Sequence, residues 1–542
     1  KNRIDLTLQP LGDVYFQSEV QYDPVRHGNK SSIYVFSAIG IFIFIIACIN
    51  FMNLATAKSV QRAKEVGVRK TLGSSKRLLA LQFFGESIFV AIISVILAFT
   101  LTEISLPFFN EWFSLELVAV RDPLIIIPLA FGLVLVTGFI SGVYPAVILS
   151  RFKPAEVLKG KVQSNKEGLT IRKGLVILQF GISVFLIVIT LVVGKQLRFI
   201  NEADLGFDKD EIVLLELNYS TINQNIETFK NRLLTNSSIK NVTLASGEPG
   251  GFHDTMASEV EGLEDRPRFR TLFTDENYIP TYDLEMVAGR NFSEEFSTDL
   301  EGALILNERA VRDLGMTNED IIGKRIHTEF VDTTYKLVIG VVKDYHFGTL
   351  KTEVEPLMIH MTDQASLMSI KLQAGGDAKA ALAFIESEWE KFVPFKPDFR
   401  FLDDKLDYLY QNERLQGRLF QLFSGVSIFI ACLGIFGLAS FTATQRRKEI
   451  GIRKALGASV KSISNLLARD YIKLVLIANI VALPVGWYLA SKWLSEFTYR
   501  TSIDLSIFII ALVAALLIAI LSVIFQSLRA ALANPVDVLK EE

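Results

Sequence analysis

Residues 61–75 read QRAKEVGVRKTLGSS, and residues 445–459 read QRRKEIGIRKALGAS. Ten of the fifteen positions are identical at a fixed shift of 384, and Val66/Ile450 and Val68/Ile452 keep the apolar pattern. Each stretch predicts a short helix. Glu65 and Arg69 are i,i+4 neighbours, as are Glu449 and Arg453. Val66, Val68 and Leu72 are expected to supply apolar contacts. Gly73 and Gly457 occupy the expected helix stop, and Ser75 and Ser459 suit the cap of the element that follows. Gly67 and Gly451 interrupt the helix at a cost of ~1 kcal/mol against Ala. Their presence in both copies predicts close backbone approach to another element.

Working outward, both copies lie between long apolar runs. Seven segments are long enough to cross a bilayer, which takes ~20 residues: 33–57, 79–103, 123–149, 174–197, 419–442, 467–491 and 505–529. Half of the 542 residues are hydrophobic while 21% are charged, so apolar runs stand beside ordinary soluble sequence. Basic residues set the orientation. The connection 58–77 carries Lys58, Arg62, Lys64, Arg69, Lys70, Lys76 and Arg77 against Glu65, and 443–461 is equally biased. The connection 150–173 holds seven basic residues, whereas 103–122 holds Arg121 and four acids. Alternating topology puts all three basic connections in the cytoplasm and 198–418 outside.

The repeat extends beyond the motif. The 384 shift pairs Ala47-Cys48 with Ala431-Cys432 and Glu86 with Asp470, and Pro154–Lys159 pairs with Pro535–Lys540 at a shift of 381. Residues 32–161 and 418–542 are therefore two copies of one three-crossing module. Residues 6–31 resemble the 399–417 stretch that precedes the second copy. The reading is of an N-terminally truncated chain, with eight crossings expected in the full length.

Between the modules the sequence is α+β. Val213–Leu217, Val242–Leu244, Leu367–Leu372 and Phe399–Phe401 read as strands, with helices over 222–235 and 378–392. The stretch 250–362, with its apolar run Tyr335–Val342, reads as a β-rich insertion. The fold class is thus a polytopic α-helical membrane protein whose extracytoplasmic domain has a βαβ platform and a β-rich inserted lobe.

Chemistry-bearing patterns are few. No Gly-x-x-x-x-Gly-Lys-Ser/Thr loop occurs, so ATP would be handled by another chain. The five histidines, His27, His253, His327, His346 and His360, show no metal-ligand spacing, and no catalytic constellation is assigned. Asp344 and His346 read as surface residues. Glu86 and Asp470 sit about three turns into crossings, where an acid is a functional candidate by default. The competing reading pairs them with cations of the short basic helices. The net charge of −3 gives no reason to expect nucleic acid.

The repeated E-[VI]-G-[VI]-R-K-x-L-G-[SA]-S, with P-x-[ED]-V-L-K closing each module, resembles the MacB/FtsX-like permeases of bacterial ABC transporters. The middle region, including Ala288–Phe292 and Val341–Phe347, resembles their periplasmic core domain, with a Porter-like and a Sabre-like part. The resemblance covers essentially the whole chain and divides it into five parts. They are 1–31, the tail of a truncated first periplasmic domain; 32–161, FtsX-like module one; 162–197, linker and lead-in helix; 198–417, the periplasmic core; and 418–542, module two.

The resemblance implies that Lys64, Glu65, Gly67, Arg69, Lys70, Leu72 and Gly73, with Lys448, Glu449, Gly451, Arg453, Lys454, Leu456 and Gly457, form two coupling helices that dock two ABC ATPase subunits. ATP and Mg would be bound by those partners, with no cofactor in this chain. The implied location is the bacterial inner membrane, with the large domain in the periplasm. The implied activity is export or mechanotransmission, and a periplasmic adaptor or outer-membrane channel is a further implied partner. Cargo implied by the family ranges from antimicrobial peptides, macrolide-like compounds and lipoproteins to none. Tyr144-Pro145-Ala146 of module one becomes Phe525-Gln526-Ser527 in module two, so identical movement of the halves is not implied. The competing function is a membrane-anchored periplasmic receptor without transport.

Overall fold

The computed structural model describes residues 30–532 apart from 62, 152–165, 218–219, 252, 329–333 and 364, together with residues 10, 12, 15 and 16. The expectations for 6–31 and for the Pro154–Lys159 and Pro535–Lys540 pair lie outside the described residues. In chain order the helices are α1 (Lys30–Gln61), α2 (Ala63–Thr71), α3 (Lys76–Phe113), α4 (Pro123–Arg151), α5 (Lys166–Glu202), α6 (Ile226–Leu233), α7 (Ala378–Trp389), α8 (Leu402–Leu409), α9 (Gln411–Gln445), α10 (Arg447–Ala455), α11 (Val460–Leu494) and α12 (Leu505–Leu532). Four helices of only one to two turns are left unnumbered. The strands are β1 (Ile212–Glu216), β2 (Ile239–Ala245), β3 (Asp254–Val260), β4 (Arg268–Thr274), β5 (Met286–Gly289), β6 (Ala303–Asn307), β7 (Arg325–Thr328), β8 (Lys336–Val342), β9 (Leu357–Met361), β10 (Leu367–Leu372) and β11 (Phe399–Phe401). The chain divides into a membrane unit, 1–195 with 415–492 and 502–542, and a sheet unit, 196–414 with 493–501.

In the membrane unit seven helices, α1, α3, α4, α5, α9, α11 and α12, are long and apolar enough to span a bilayer. Small residues set how closely they pack. Gly138 of α4 lies on Ile88 of α3, and Gly142 lies on Phe84 and Ser87. Val176, Phe180 and Val184 of the lead-in helix α5 pack with an alanine-rich surface of the second module, Ala431, Ala439, Ala478, Ala482, Ala515 and Ala519. Short side chains let helix backbones approach where no hydrophobic driving force exists in lipid.

The first helices of the two modules, α1 and α9, meet through repeat-related positions. Gln416 Nε2 donates to Ser32 Oγ at 2.8 Å, and those positions are 384 apart. Phe36 and Phe420, at the same shift, have ring centroids 5.7 Å apart. Deeper in, Asn50 faces Gly434, again 384 residues on, and donates through Nδ2 to the Ile430 carbonyl at 2.9 Å. A Cβ on Gly434 would stand 2.2 Å from Asn50 Oδ1 and 2.8 Å from Gln179 Nε2. The two helices are therefore related by an approximate two-fold axis running along their seam. Gly434→Ala is expected to cost about 1–3 kcal/mol through overpacking. Adding Asn50→Gly should return most of that loss. Thermal unfolding in detergent measures both, and no loss in Gly434→Ala would contradict the close approach.

The sheet unit has the strand order β11-β1-β10-β2-β4-β3-β7-β8-β6-β9, with β5 on β8. β10 lies antiparallel between β1 and β2. The platform is accordingly a split βαβ arrangement, in which helices α6 and α7 connect strands that are not neighbours. Both faces of its strands are covered. Val213 and Leu215 join Phe229, Ile385 and Trp389 on one side, while Ile212 and Leu214 join Tyr278, Tyr282, Leu402 and Leu406 on the other. Two-sided burial explains why β1 reads as an unbroken apolar run instead of an alternation.

The inserted lobe closes on itself. β4 pairs with both β3 and β9, so β4-β3-β7-β8-β6-β9 forms a ring around Val260, Phe269, Leu304, Leu306, Val338 and Met358. The helix expected over 222–235 is broken into Ser220–Asn223 and α6. The break is chemical: Asn223 Nδ2 turns back to donate to the Leu217 carbonyl at 3.2 Å. Asp344, expected at the surface, is half-buried; it accepts from the Arg309 backbone N–H at 2.7 Å and pairs with Arg312. His346 is likewise half-buried, edge-on to Tyr499.

Two histidines of the sheet unit are buried. His360 stacks on Phe273 at 5.0 Å, and burial pushes its pKa down to about 3; the neighbouring Lys336 acts in the same sense. Burial likewise takes His253 down to about 4. A depressed histidine binds fewer protons folded than unfolded, so stability is full above the unfolded pKa near 6.5 and falls as pH drops toward the folded value. Acidification from pH 6.5 to 4 should cost the sheet unit about 3 kcal/mol through His360 alone. His360→Phe is expected to remove that share of the slope, as read by chemical denaturation at several pH values.

Candidate functional site

The two short helices α2 and α10 are built alike. Each has an acid in its first turn and two basic residues in its last, matching the helix dipole. Arg69 and Glu65 pair at 2.7 Å, and Arg453 and Glu449 pair at 2.8 Å. Both helices end identically. Gly73 has φ +98° and Gly457 φ +88°, a region that L side chains avoid. Ser74 N–H then reaches Arg69 O at 3.0 Å, and Ala458 N–H reaches Arg453 O at 2.9 Å, satisfying the last carbonyls. The reversed chain enters the next crossing through Ser75, whose Oγ accepts from Leu78 N–H at 3.3 Å, and Ser459, whose Oγ accepts from Ser462 N–H at 3.2 Å.

The apolar residues divide between two faces. Val66 is buried on Leu79, with Phe83 beside it, and Ile450 is buried on Ile463 at the repeat-related place. Leu72 and Leu456 are each 81% exposed, with Val68 and Ile452 about half exposed beside them. At i,i+4 spacing, Val68/Leu72 and Ile452/Leu456 form one stripe per helix. Each helix is thus pinned by one side chain and presents two others outward. Burying a leucine is worth about 1.5–3 kcal/mol, and among the described residues each stripe leaves that contribution unrealised.

The other residues singled out from the sequence fall as follows. Gly451 is buried. Burial and the neighbouring Lys76 hold the Lys70 ammonium below its usual pKa. Lys454 stands in the last turn of α10 beside Arg453. Lys64, Gly67 and Lys448 lie in the helices, but their side-chain surroundings fall outside the described residues.

The two deep acids connect to the short helices by different routes. Glu86 accepts from Gln82 Nε2 at 3.2 Å, and Gln82 Oε1 in turn accepts from Arg69 at 2.7 Å. Asp470 is 3.5 Å from Arg446, the residue that leads into α10. Gln82 and Arg446 were not singled out from the sequence. Gln82 corresponds to Leu466, so the repeat itself marks it as a place where the halves differ. Among the described residues no cluster of His, Cys, Asp or Glu is arranged to hold a metal ion.

Comparison with known proteins adds the family. The FtsX-like permease C-terminal family matches residues 37–154 and again 421–535. The macrolide export ATP-binding/permease protein MacB of Chromobacterium violaceum is 21% identical over 318 residues, covering 55% of this chain and 48% of that protein. An uncharacterized ABC transporter permease of Bacillus subtilis, YvrN, is 24% identical over 290 residues, covering 49% of this chain and 69% of that protein. The chain spans about half the length of the MacB relative. Among solved structures, the periplasmic region of MacB from Actinobacillus actinomycetemcomitans aligns with 39% of this chain and 97% of its own length, at a TM-score of 0.29 and 15% identity. One domain is thus matched twice, on the two modules that carry the repeated short helices, so the chain contains two modules similar to the FtsX-like permease C-terminal domain.

Proposed function

We propose that this chain is the permease subunit of a bacterial ABC transporter, driven by a separate ATPase that docks on α2 and α10. The observation that carries the reading is the paired geometry of those helices. Each is anchored by Val66 or Ile450 and exposes Leu72 or Leu456 at the repeat-related place. Two equal docking sites suit two ATPase subunits, which would bind ATP and Mg. In the MacB relative, ATP-binding and permease functions share one protein, as its name states. Here the nucleotide chemistry is assigned to partners, and this chain is assigned no catalytic role.

The basic connections support a reading with α2 and α10 in the cytoplasm and the sheet unit in the periplasm, across the inner membrane. Hydrolysis would move the docked helices, and the crossings would carry that movement to the sheet unit for export or mechanotransmission. A periplasmic adaptor or outer-membrane channel is a further proposed partner of the lobe. The test is affinity purification of the full-length protein from its native host, with the co-purifying proteins identified by mass spectrometry. The expected result is a stable complex in which the permease alters ATP turnover. Purified permease that retains neither an ATPase nor any effect on its rate would sink the proposal.

A further inference from the structure

The two short helices share an apolar stripe, and each sets an arginine beside it. Arg69 stands three residues before Leu72 and Arg453 three before Leu456, a spacing that makes each pair surface neighbours on a helix. What the two arginines face is decided on the following crossing, at positions 82 and 466, which are related by the same shift of 384.

In module one the facing residue is a glutamine. Arg69 donates through Nη2 to Glu65 at 2.7 Å and through Nη1 to Gln82 Oε1, also at 2.7 Å. Gln82 is itself held, because its Nε2 donates to Glu86 at 3.2 Å. Glu65, Arg69, Gln82 and Glu86 thus form one hydrogen-bonded series that ties α2 to α3. A guanidinium presents its donors in a fixed fork, and both tines of this one are engaged within the chain.

In module two the facing residue is Leu466, whose side chain neither donates nor accepts. Arg453 keeps its pair with Glu449 through Nη2 at 2.8 Å, and among the described residues its guanidinium makes no bond to α11. The cation that meets α11 is a different one, Arg446, which lies 3.5 Å from Asp470. One tine of the Arg453 fork is therefore left beside Leu456 without a partner among the described residues.

We infer that α10 is the stronger of the two ATPase docking sites, because Arg453 can meet a carboxylate on the partner that Arg69 meets only by releasing Gln82. The partner surface that fits α10 is then an apolar pocket for Ile452 and Leu456 with an acid at its rim. Arginine and carboxylate make short, charge-assisted hydrogen bonds, and a contact that excludes water strengthens them. Arg69 gains less, since a new bond there replaces one that it already makes. The inference rests on the ATPase-driven reading above and adds an order to it: α10 fills before α2, although the two apolar stripes are alike.

The test titrates the ATPase that co-purifies with the full-length permease onto that permease, without nucleotide, so that ATP does not couple the two sites. Hydrogen exchange follows the amides of 63–72 and 447–456 in the same molecules. In the wild type α10 should reach half-protection at an ATPase concentration about threefold below that for α2, the size of effect a partly exposed ion pair supplies. The gap should narrow as salt is raised. Exchanging the facing residues, Gln82→Leu with Leu466→Gln, should close the gap or reverse it. Arg453→Gln should weaken protection of α10 by about the same factor and leave α2 as it was. Equal midpoints in the wild type, or a gap that the exchange leaves in place, would overturn the inference. Saturating ATPase that protects neither helix would instead overturn the docking reading on which it rests.

Discussion

Leu72→Asp combined with Leu456→Asp is expected to uncouple the permease from its ATPase, reducing complex recovery and permease-dependent ATP turnover at least tenfold. Both leucines are 81% exposed, so the substitutions disturb no core and the free permease should unfold at its normal temperature. In the complex each aspartate would be buried against an apolar partner surface. Losing a leucine contact forfeits about 1.5–3 kcal/mol per site, and burying an unpaired carboxylate adds further cost. Two sites acting together exceed the 1.4 kcal/mol that corresponds to one decade in an equilibrium constant. Val66→Asp makes the contrast. That side chain is buried on Leu79, and the same change there should destabilise the free permease. Normal complex formation by the Leu72/Leu456 double variant would refute the docking role of the exposed stripe.

The second large effect concerns the sheet unit alone. Lys230 of α6 and Asp275, after β4, form an ion pair at 2.8 Å with both side chains about 6% exposed, and Glu276 lies 3.5 Å from the same ammonium. Thr243 Oγ1 and Asn277 N–H donate to the other carboxylate oxygen. Burial opposes both charges. It nevertheless leaves Lys230 above its usual pKa, because Asp275 attracts and hydrogen-bonds its ammonium, while Asp275 itself is raised by its deeper desolvation. Every polar partner is met, with the Lys230 ammonium on one Asp275 oxygen and Thr243 and Asn277 on the other, so the pair is charged. Lys230→Met strands the carboxylate and should cost about 3–5 kcal/mol, whereas Lys230→Met with Asp275→Leu should cost far less, since a whole buried pair is replaceable by apolar residues. Scanning calorimetry of the two variants decides it. Equal losses in both would mean that the pair contributes through shape instead of charge.

How much of this was legible in the sequence differs by level. The crossings were legible because an apolar run of that length has few other uses, and strands such as Val213–Leu217 were legible because both faces of the platform are covered. The position of β10 between β1 and β2 was not, since pairing partners far apart in the chain leave no local trace. The break before α6 escaped because Asn223 satisfies Leu217 O, an alternative that periodicity does not display. At the short helices α2 and α10 the stop and cap chemistry was readable from Gly73 and Ser75. Which apolar residues face inward was not: Val66 and Val68 are chemically alike, and only the approach of Leu79 distinguishes them. Gln196 and the 493–501 loop carry no motif, and the hydrogen bonds between them appear only in the folded chain.

The seam between α1 and α9 has an evolutionary consequence. In an assembly of two identical chains, a residue on the symmetry axis meets its own copy, so Asn50 would face a second asparagine and Gly434 a second glycine. Neither combination reproduces what stands here, where a missing side chain on one helix makes room for a hydrogen-bonding amide from the other. Such a lock-and-notch pair becomes available only once the two copies are encoded separately. Fusion into a single chain therefore let each half acquire substitutions that a symmetric ancestor would have had to accept twice or not at all.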